Sequence, residues 1–562
     1  MKKAVVFFIF FSILIPTLSL GASLHKVHLD WDYDDQAVEG ESLVGFRLYK
    51  EGVLIAQIND PSARSADCRL QSEEGTFTFT LTALYSRGTE TPHSSPYTFT
   101  LSPSTLVVDE DHHELLGTYR LTGDLIDGQN VGNSMGQSTF ATDFSGMEEA
   151  GVALSPVLIY PHVVVDENWE TEICIVNTNQ SLNLRGVLQP YGSDGVPLAD
   201  SLTLNLSPDA RFEFKVRELF AEPQRIAYLV LAANHGQAVG STKFFIEDQC
   251  RIAVPAAAVL NQGDFSLPLT VSAQDWWTLV CLVNTTTVHK TLTFRFDNDV
   301  SRQISLAPGE HKSFTVASLF DDGTDPGINA AVVENGAGIV GYELFGGNHG
   351  TWSWGIPLSD RLSSDLYYPL VDGQQDWWSA IVAYNPVNQP TTLTITSYDE
   401  GGAVLFFQDI TLDAYGTYLA LASDLHLPSG TTCVHVHSSV EITGFELVGG
   451  AASTGSVNAA NPGRYNGTFS SLNQDDEGAE LFMMNGTAEP AHVVVTAYDD
   501  AGMPVSRREL LVPAFAEIGD SLLPDDDLSA ATHLTYQSSV PLVACQYNHS
   551  GDGRMLDAMP VL

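Results

Sequence analysis

A segment running from tryptophan to asparagine occurs four times and most constrains how this chain can fold. Its clearest copy is Asp376-Trp377-Trp378-Ser379-Ala380-Ile381-Val382-Ala383-Tyr384-Asn385, and a second runs from Asp275 to Asn284. Weaker copies end at Asn177 and Asn485. These four marker asparagines are separated by 107 (284 − 177), 101 (385 − 284) and 100 (485 − 385) residues. A period of this size predicts four tandem copies of one domain.

Short strands and tight turns recur within each copy. A tyrosine is followed four residues later by a turn glycine at Gly195, Gly402 and Gly502, and the second copy shortens this turn to Phe296-Asp297-Asn298-Asp299. Asp and Gly at such turns favour a backbone with positive φ. The pattern predicts an all-β fold of tandem β-sandwiches of the immunoglobulin or fibronectin III kind. An eight-bladed propeller is the alternative, but one marker set per 100 residues favours sandwiches.

Length and composition divide the rest of the chain. With 562 residues, the chain is too long for one core. Lys2, Lys3, a short apolar run and small residues predict a signal peptide at 1–22, hence a secreted protein, located in the periplasm or at the cell surface. The remaining divisions are a β domain at 24–102, a linker at 103–155 and sandwich repeats at 156–260, 261–360, 361–461 and 462–562.

The first β domain has three recognisable strand motifs: Leu29-Asp30-Trp31, Gly45-Phe46-Arg47-Leu48-Tyr49, and Phe77-x-Phe79-x-Leu81-x-Ala83. In these residues the segment 24–102 resembles a fibronectin type III domain. The resemblance implies a sandwich that serves as a spacer or contacts proteins or sugars. Phe77 stands where that family usually has tyrosine, so the hydroxyl that ties its corner is missing. The four repeats resemble no family that we can name.

The charge of the chain restricts its partners. The formal net charge is −44, or −46 after loss of Lys2 and Lys3 with the signal. Such a surface repels nucleic acid and anionic membranes, and no stretch after the signal predicts a transmembrane segment. We therefore expect an extracellular protein or a polysaccharide as partner. Six cysteines are too few for a disulfide scaffold, and Cys174 and Cys281, at matching repeat positions, predict buried thiols.

Tryptophans in the repeated segment are candidate ligand-binding residues. Neighbours in a strand face opposite sides, so one indole of each pair can enter the core while the other points outward. An exposed indole suits stacking on sugar rings, whereas a covered one would pack on the next repeat. The candidates are Trp169, Trp276, Trp277, Trp377 and Trp378.

A second candidate site is Cys433-Val434-His435-Val436-His437. In a strand, Cys433, His435 and His437 share one face, and their side chains are suitable ligands for zinc or copper. The alternative is a solvent-facing strand with two ordinary histidines. Acidic turns at 321–325 and 525–527 offer oxygen ligands for calcium, or are solvated turns. No cofactor is required by the sequence, and calcium or zinc would be the ions to test.

Catalytic motifs are weak. Gly519-Asp520-Ser521-Leu522 spells the nucleophile motif of the GDSL esterases, but only 41 residues (562 − 521) follow and none spell the Asp-x-x-His of that family. The segment also occupies a structural position of the repeat.

We therefore predict a non-catalytic, rod-like bacterial protein for adhesion or scaffolding, with carbohydrate binding and metal binding as alternatives. A closed ring of residues 156–562 would contradict the rod.

Overall fold

A computed structural model describes most of the chain. In the amino-terminal part it covers residues 8–13, 23–31, 42–50, 53–58, 61, 65–72, 75–87, 90–91 and 97–101. From residue 148 to residue 562 it covers all but 150–151, 272–275, 321–326, 348–351, 370–377, 451–453, 459–462, 473–476, 520–529 and 551–554. Two compact units result, an amino-terminal one and one that contains the four repeats.

The amino-terminal unit consists of two antiparallel sheets. Strands β1, β2 and β5 form one sheet, and the other has the order β4-β3-β6-β7. The strands are β1 Phe8–Ile13, β2 Ser23–Trp31, β3 Leu43–Lys50, β4 Val53–Ile58, β5 Ser65–Ser72, β6 Gly75–Tyr85 and β7 Tyr97–Leu101. Tyr49, Thr82 and Arg47 all donate hydrogen bonds to the Glu90 carboxylate, which ties β3 and β6 to the segment that follows β6. The fibronectin resemblance remains a prediction.

The second unit begins with two short strands in the predicted linker, β8 Glu148–Glu149 and β9 Val152–Ala153, which pair with each other. The first repeat then contains β10 Ser155–Tyr160, β11 Glu170–Asn177, β12 Leu184–Tyr191, β13 Leu202–Leu206, β14 Arg211–Lys215, β15 Tyr228–Ala233, β16 Ala238–Ile246 and β17 Cys250–Pro255. The second contains β18 Phe265–Leu267, β19 Trp277–Asn284, β20 Lys290–Phe296, β21 Ser301–Leu306, β22 His311–Thr315, β23 Ala331–Glu334, β24 Ile339–Gly347 and β25 Trp352–Pro357.

The third and fourth repeats follow the same plan with longer strands. The third contains β26 Ser363–Tyr368, β27 Trp378–Tyr384, β28 Thr391–Tyr398, β29 Val404–Leu412, β30 Thr417–Leu421, β31 Cys433–Gly449 and β32 Thr454–Asn458. The fourth contains β33 Arg464–Phe469, β34 Glu477–Met484, β35 Ala491–Tyr498, β36 Pro504–Val512, β37 Glu517–Gly519, β38 His533–Ser550 and β39 Leu556–Pro560. Helical structure in the described residues consists of α1 Val216–Leu219 and the 3-10 turns Pro223–Arg225, Val316–Leu319 and Ala422–Leu425.

Each repeat is a sandwich of two antiparallel sheets. In the first repeat the strand orders are β10-β15-β12-β13 and β14-β11-β16-β17, so successive strands cross between sheets instead of pairing within one propeller blade. In the third and fourth repeats, β31 and β38 are long enough to take part in both sheets. The second, third and fourth repeats each enclose a hydrophobic cluster drawn from both of their sheets. The all-β sandwich prediction is confirmed.

The repeated residues are those that hold one sandwich together. Each marker asparagine is buried at the end of its strand. Asn177 Nδ2 donates to the carbonyl oxygens of Leu182, Leu206 and Ser207 at 2.9, 3.1 and 2.8 Å. Asn284 and Asn485 make the three corresponding bonds and Asn385 makes two of them, and each Oδ1 accepts from the backbone N–H two residues later. One amide thus fixes a loop and a turn at once.

The predicted turn glycines have the expected backbone and an additional role. Gly195, Gly402 and Gly502 have φ of 77°, 80° and 80°. A Cβ at Gly195 would lie 2.5 Å from Gly309, one at Gly402 would lie 1.9 Å from the Ala514 carbonyl oxygen, and one at Gly502 would lie 2.2 Å from the Pro208 carbonyl oxygen. Each turn therefore fits closely against a turn of the neighbouring repeat. For Gly502 of the fourth repeat, that neighbour is the first repeat.

The four repeats consequently close into a ring. The innermost strands β17, β25, β32 and β39 each pack on the next, and β39 packs on β17. Hydrophobic clusters join the first repeat to the second, the second to the third and the third to the fourth, and a smaller one of Ala253, Met559 and Leu562 joins the fourth to the first. The rod predicted from sequence was wrong. The fourth repeat, the last in the sequence, packs on the first.

No helix in the described part of the chain is long and apolar enough to cross a membrane.

Candidate functional site

The predicted tryptophans lie in junctions between repeats. Trp276 stacks on Trp354 with ring centroids 5.7 Å apart, and Trp378 of the third repeat lies 6.2 Å from Trp352 of the second. Trp169 and Trp277 pack on the cluster between the first and second repeats. Trp377 lies outside the described residues. The half-buried rings cover the neighbouring repeat, which is the packing alternative considered from the sequence.

Trp352 and Trp354 are junction residues that the repeat comparison missed. They occur in one copy and belong to β25, the strand next to the ring centre. Their spacing of two residues places both indoles on one face of that strand. This local signal was present in the sequence.

The predicted set Cys433, His435 and His437 separates in the structure. Cys433 is fully buried against Met484 and Val543 of the fourth repeat, and burial raises the pKa of its thiol well above the ordinary value. His435 and His437 instead share a partner from the neighbouring strand. Asp365 Oδ1 lies 2.9 Å from His435 Nε2 and 2.9 Å from His437 Nδ1.

Asp365 orients both imidazoles. Burial raises the pKa of this carboxyl, but hydrogen bonds from Ser364, His437 and His435 outweigh burial and hold the pKa below its usual range. Burial lowers the pKa of His435 despite the neighbouring carboxylate. Both imidazoles bond to the same carboxylate oxygen, and no group of three or more His, Cys, Asp or Glu side chains in the described residues is arranged to hold a metal ion.

The histidines belong to a surface that we call the outer face of the third repeat, the side of its β26-β28-β29-β31 sheet opposite the core. Val434 and Val436 enter the core, so Cys433, His435 and His437 lie on the opposite side, where the fourth repeat covers Cys433. Cross-strand pairing aligns this face in two rows. One row is Phe407, Thr396, His435 and Tyr367, and the other is Asp409, Thr394, His437 and Asp365.

Aromatic and polar groups on this face are ordered by contacts across the strands. The Tyr367 ring stacks on His435 with centroids 4.5 Å apart, and Thr394 donates a 2.7 Å hydrogen bond to Asp409. Phe407 is 71% exposed and His437 side chain is 53% exposed. Phe407, Asp409 and His437 are therefore presented to solvent, whereas Tyr367 packs on the fourth repeat and donates a hydrogen bond to the Gly486 carbonyl oxygen at 3.3 Å.

An exposed apolar edge borders the outer face. Val404, Leu405 and Phe407 lie on β29, an outermost strand of its sheet, and Leu419 and Leu421 lie on β30, the outermost strand of the other sheet. Exposed apolar groups along one strand, as Val404, Leu405 and Phe407 are along β29, are typical of interaction sites. The range 361–461 contains ten Asp and Glu residues but Arg361 as its single Lys or Arg. The border is therefore apolar in an acidic surrounding.

The junction that closes the ring differs from the others because it is ionic. Arg211 Nη1 lies 2.9 Å from Asp500 Oδ1, and its Nε donates to the Ser470 carbonyl oxygen at 2.7 Å, so it spans from the first repeat to the fourth. Arg251 pairs with buried Asp557 of the fourth repeat. Lys243 Nζ donates to Ser471 Oγ at 3.0 Å. Arg211, Arg251 and Lys243 are thus three buried cationic side chains at this junction, in a chain whose net charge is −44.

Two glutamates share Lys243 at this junction. Lys243 Nζ lies 3.1 Å from Glu172 Oε1 and 3.3 Å from Glu213 Oε1, and Arg211 also pairs with Glu213. Burial raises the pKa of Glu213, but Lys243 and Arg211 outweigh burial and lower it to about 2. Burial raises the pKa of Glu172, for which Lys243 is the direct cationic partner. A cavity of about 240 Å³ lies here, lined by Glu172, Glu213, Lys215, Lys243, Phe245, Glu247, Arg251 and Met555.

Sequence comparison within the chain could not identify these ionic residues, because the copies differ there. In the second repeat, Leu279, Ser313 and Leu344 occupy the positions of Glu172, Glu213 and Lys243.

Ser521 and the acidic turns at 321–325 and 525–527 lie outside the described residues. Cys174 and Cys281 are buried free thiols, as predicted.

No family model and no curated protein matches the chain. Solved structures show a limited likeness. An exopolygalacturonase of family 28 from Yersinia enterocolitica is 16% identical over 18% of this chain and 21% of its own, with a TM-score of 0.13. An α-L-rhamnosidase from Streptomyces avermitilis is 9% identical over 98% of this chain and 57% of its own, with a TM-score of 0.13. An α-L-rhamnosidase from Dictyoglumus thermophilum is 8% identical over 73% of this chain and 44% of its own, with a TM-score of 0.16.

The chain thus spans about a fifth to three fifths of the lengths of these structures, 21%, 57% and 44%. TM-scores this low carry no argument about fold or activity.

Proposed function

We propose that this chain is a secreted, non-catalytic bacterial scaffold or adhesion protein that binds another protein through the outer face of its third repeat. The observation that carries the proposal is Phe407, a large aromatic side chain that is 71% exposed at the border of that face. Val404 and Leu405 extend the apolar border along the same strand. A large aromatic anchor beside ordered polar groups is typical of the centre of a protein interface.

Rigidity of the site supports the same function. The outer face belongs to a sandwich with its own core, and that sandwich is held on both sides by neighbours in the ring. Preformed surfaces lose little conformational entropy on binding. A closed ring of sandwiches therefore suits the presentation of a surface. We place the protein in the periplasm or at the cell surface.

Site-specific photo-crosslinking in producing cells tests this function. A photoreactive phenylalanine analogue replaces Phe407 in one variant and Leu511 in the control. Leu511 is also an exposed apolar residue, on β36 of the fourth repeat. We expect a discrete protein adduct from position 407, in the secreted or envelope fraction, and none from position 511. Equal adducts at both positions, or none at 407, would contradict the proposal.

A further inference from the structure

Strand β29 has the features of a sheet edge that is open to a partner strand. It is nine residues long and lies at the end of its sheet, with β28 as its single neighbour among the strands that the structure describes. Its other edge therefore carries backbone N–H and C=O groups that a further strand can pair with. Proteins usually protect such edges with charged side chains.

The equivalent strand of the fourth repeat has this protection. Tyr398 pairs with Val404 and Tyr498 pairs with Pro504, so Phe407 and Arg507 occupy the same position. Arg507, Arg508 and Glu509 thus place charges along β36 where β29 has Phe407, Gln408 and Asp409. β13 of the first repeat has no charged side chains but is only five residues long, so β29 is the longer of the two edges and the one that carries Phe407.

We infer that β29 binds an extended, basic segment of a partner protein as an additional strand of its sheet. This inference rests on the proposed function, that the third repeat binds a protein, and specifies how it does so. Strand addition uses the free backbone groups for affinity and alternate side chains for specificity. Leu405 and Phe407 are both exposed and would receive apolar side chains of the added strand.

Charge selects a basic segment. Asp399 and Glu400 lie in the turn before β29, Asp409 lies within it, and Asp413 lies in the turn after it. The one basic residue of the range 361–461 is Arg361. Lysine or arginine side chains of an added strand would find carboxylates before β29 at Asp399 and Glu400, and at its carboxyl end at Asp409 and Asp413. A second copy of the chain, with its net charge of −44, is the less complementary occupant.

Binding of short synthetic peptides to the full chain tests the inference. The probe is a fluorescent nine-residue peptide of alternating lysine and valine, measured by anisotropy. Its controls are the glutamate–valine peptide and the lysine–valine peptide with every backbone amide N-methylated, which keeps the charges but removes the strand donors. We expect the probe to bind at least roughly tenfold more tightly than either control, and less tightly as salt is raised.

Variants locate the binding on β29. Phe407→Arg gives β29 the residue that the fourth repeat has at this position. We expect this variant to bind the lysine–valine peptide at least roughly tenfold more weakly, since an apolar anchor is replaced by a cation that repels the lysines. Leu511→Ser should leave binding unchanged. Equal binding of the N-methylated peptide would overturn strand addition while leaving the crosslinking result of the proposed function intact. A dimer of the chain that Phe407→Arg abolishes, seen in sedimentation, would show a second copy at the edge and overturn the basic partner.

Discussion

At the residue scale, the four marker asparagines perform the same task in four places. The side-chain amide of each asparagine supplies hydrogen-bond partners for backbone groups of a loop and a turn. Because the loop and the turn are irregular, these backbone groups cannot bond to each other. Asn385 Nδ2 donates to the carbonyl oxygens of Gln389 and Asp413 at 2.8 and 2.9 Å, and its Oδ1 accepts from the Val387 N–H at 3.2 Å. No other side chain offers two donors and an acceptor in so small a group. The repetition of this residue therefore reflects folding, not ligand binding.

Asn385→Ala should destabilise the third repeat strongly, because it leaves buried carbonyl and N–H groups without partners. We expect a loss of about 2 to 4 kcal/mol in the free energy of unfolding, measured by urea denaturation. Asn388→Ala, an exposed neighbour in the same loop, is the control and should cost little. A similar small effect for both variants would refute the role given to Asn385.

A pair of buried histidines gives a second residue-scale prediction. His162 Nδ1 lies 3.2 Å from His311 Nε2 between the first and second repeats, with Phe244 and Tyr228 beside the rings. Burial and the neighbouring His311 lower the pKa of His162 to about 3, and burial lowers the pKa of His311 to about 4. The unfolded imidazoles take up protons near pH 6.5, whereas the folded ones do not until the pH reaches these lower values.

Stability from this pair is therefore complete above about pH 6.5 and falls as the pH decreases towards about 4. At pH 5 we expect a loss of roughly 2 kcal/mol for each imidazole relative to pH 8. The double variant His162→Gln/His311→Gln should flatten this part of the pH dependence in urea denaturation, while His492→Gln on an exposed strand should not. Identical pH profiles for all three proteins would exclude the pair as the cause.

At the element scale, turns connect the repeats as closely as strands do. The turn of one repeat contacts the next repeat at Gly195, Gly402 and Gly502, each with positive φ. In the second repeat this contact has another form, because the shorter turn brings the Arg295 guanidinium over the Tyr415 ring of the third repeat at 4.6 Å. The repeated turn is thus part of the ring and not simply a strand connection.

Gly502→Ala should weaken the contact between the fourth and first repeats. The added Cβ would lie 2.2 Å from the Pro208 carbonyl oxygen, in addition to the cost of alanine at φ 80°. Gly430→Ala is a close control, because Gly430 has φ 93° and nothing within 4 Å of its Cβ position. We expect roughly 1 to 2 kcal/mol for Gly430→Ala and clearly more for Gly502→Ala in urea denaturation. Equal costs would mean that the turn contact contributes nothing.

Local elements could be predicted from the sequence, whereas the ring and most of the site could not. The marker asparagines bond to groups within about 30 residues, and the positive φ of the turn glycines is a local requirement, so their repetition indicated strands and turns directly. The contacts of Arg211 with Asp500 and of Asp365 with His435 join residues 289 and 70 positions apart. The junction residues also differ between copies: Arg211, His311, Thr417 and Glu517 occupy one equivalent position. A search for shared residues therefore passed over them.

At the scale of the whole molecule, the chain ends its series of repeats by binding the last to the first. Apolar and aromatic side chains dominate the other three junctions, and these join repeats that are consecutive in the sequence. The closing junction brings together repeats far apart in the chain and is ionic. Charged groups require specific partners, so an ionic junction distinguishes the correct closure from apolar association of the wrong repeats.

Breaking one member of this ionic cluster should cost more than removing the cluster. Lys243→Leu leaves Glu172 and Glu213 facing each other at the junction without the lysine between them, and we expect a loss of roughly 3 to 5 kcal/mol. The triple variant Glu172→Leu/Glu213→Ser/Lys243→Leu installs the residues of the second repeat and should recover at least half of that loss, since Arg211 keeps Asp500 and the Ser470 carbonyl oxygen. Urea denaturation measures the energies, and hydrogen exchange of residues 464–472 shows whether the ring opens at this junction. A triple variant less stable than Lys243→Leu would mean that the glutamates stabilise the ring independently of the lysine.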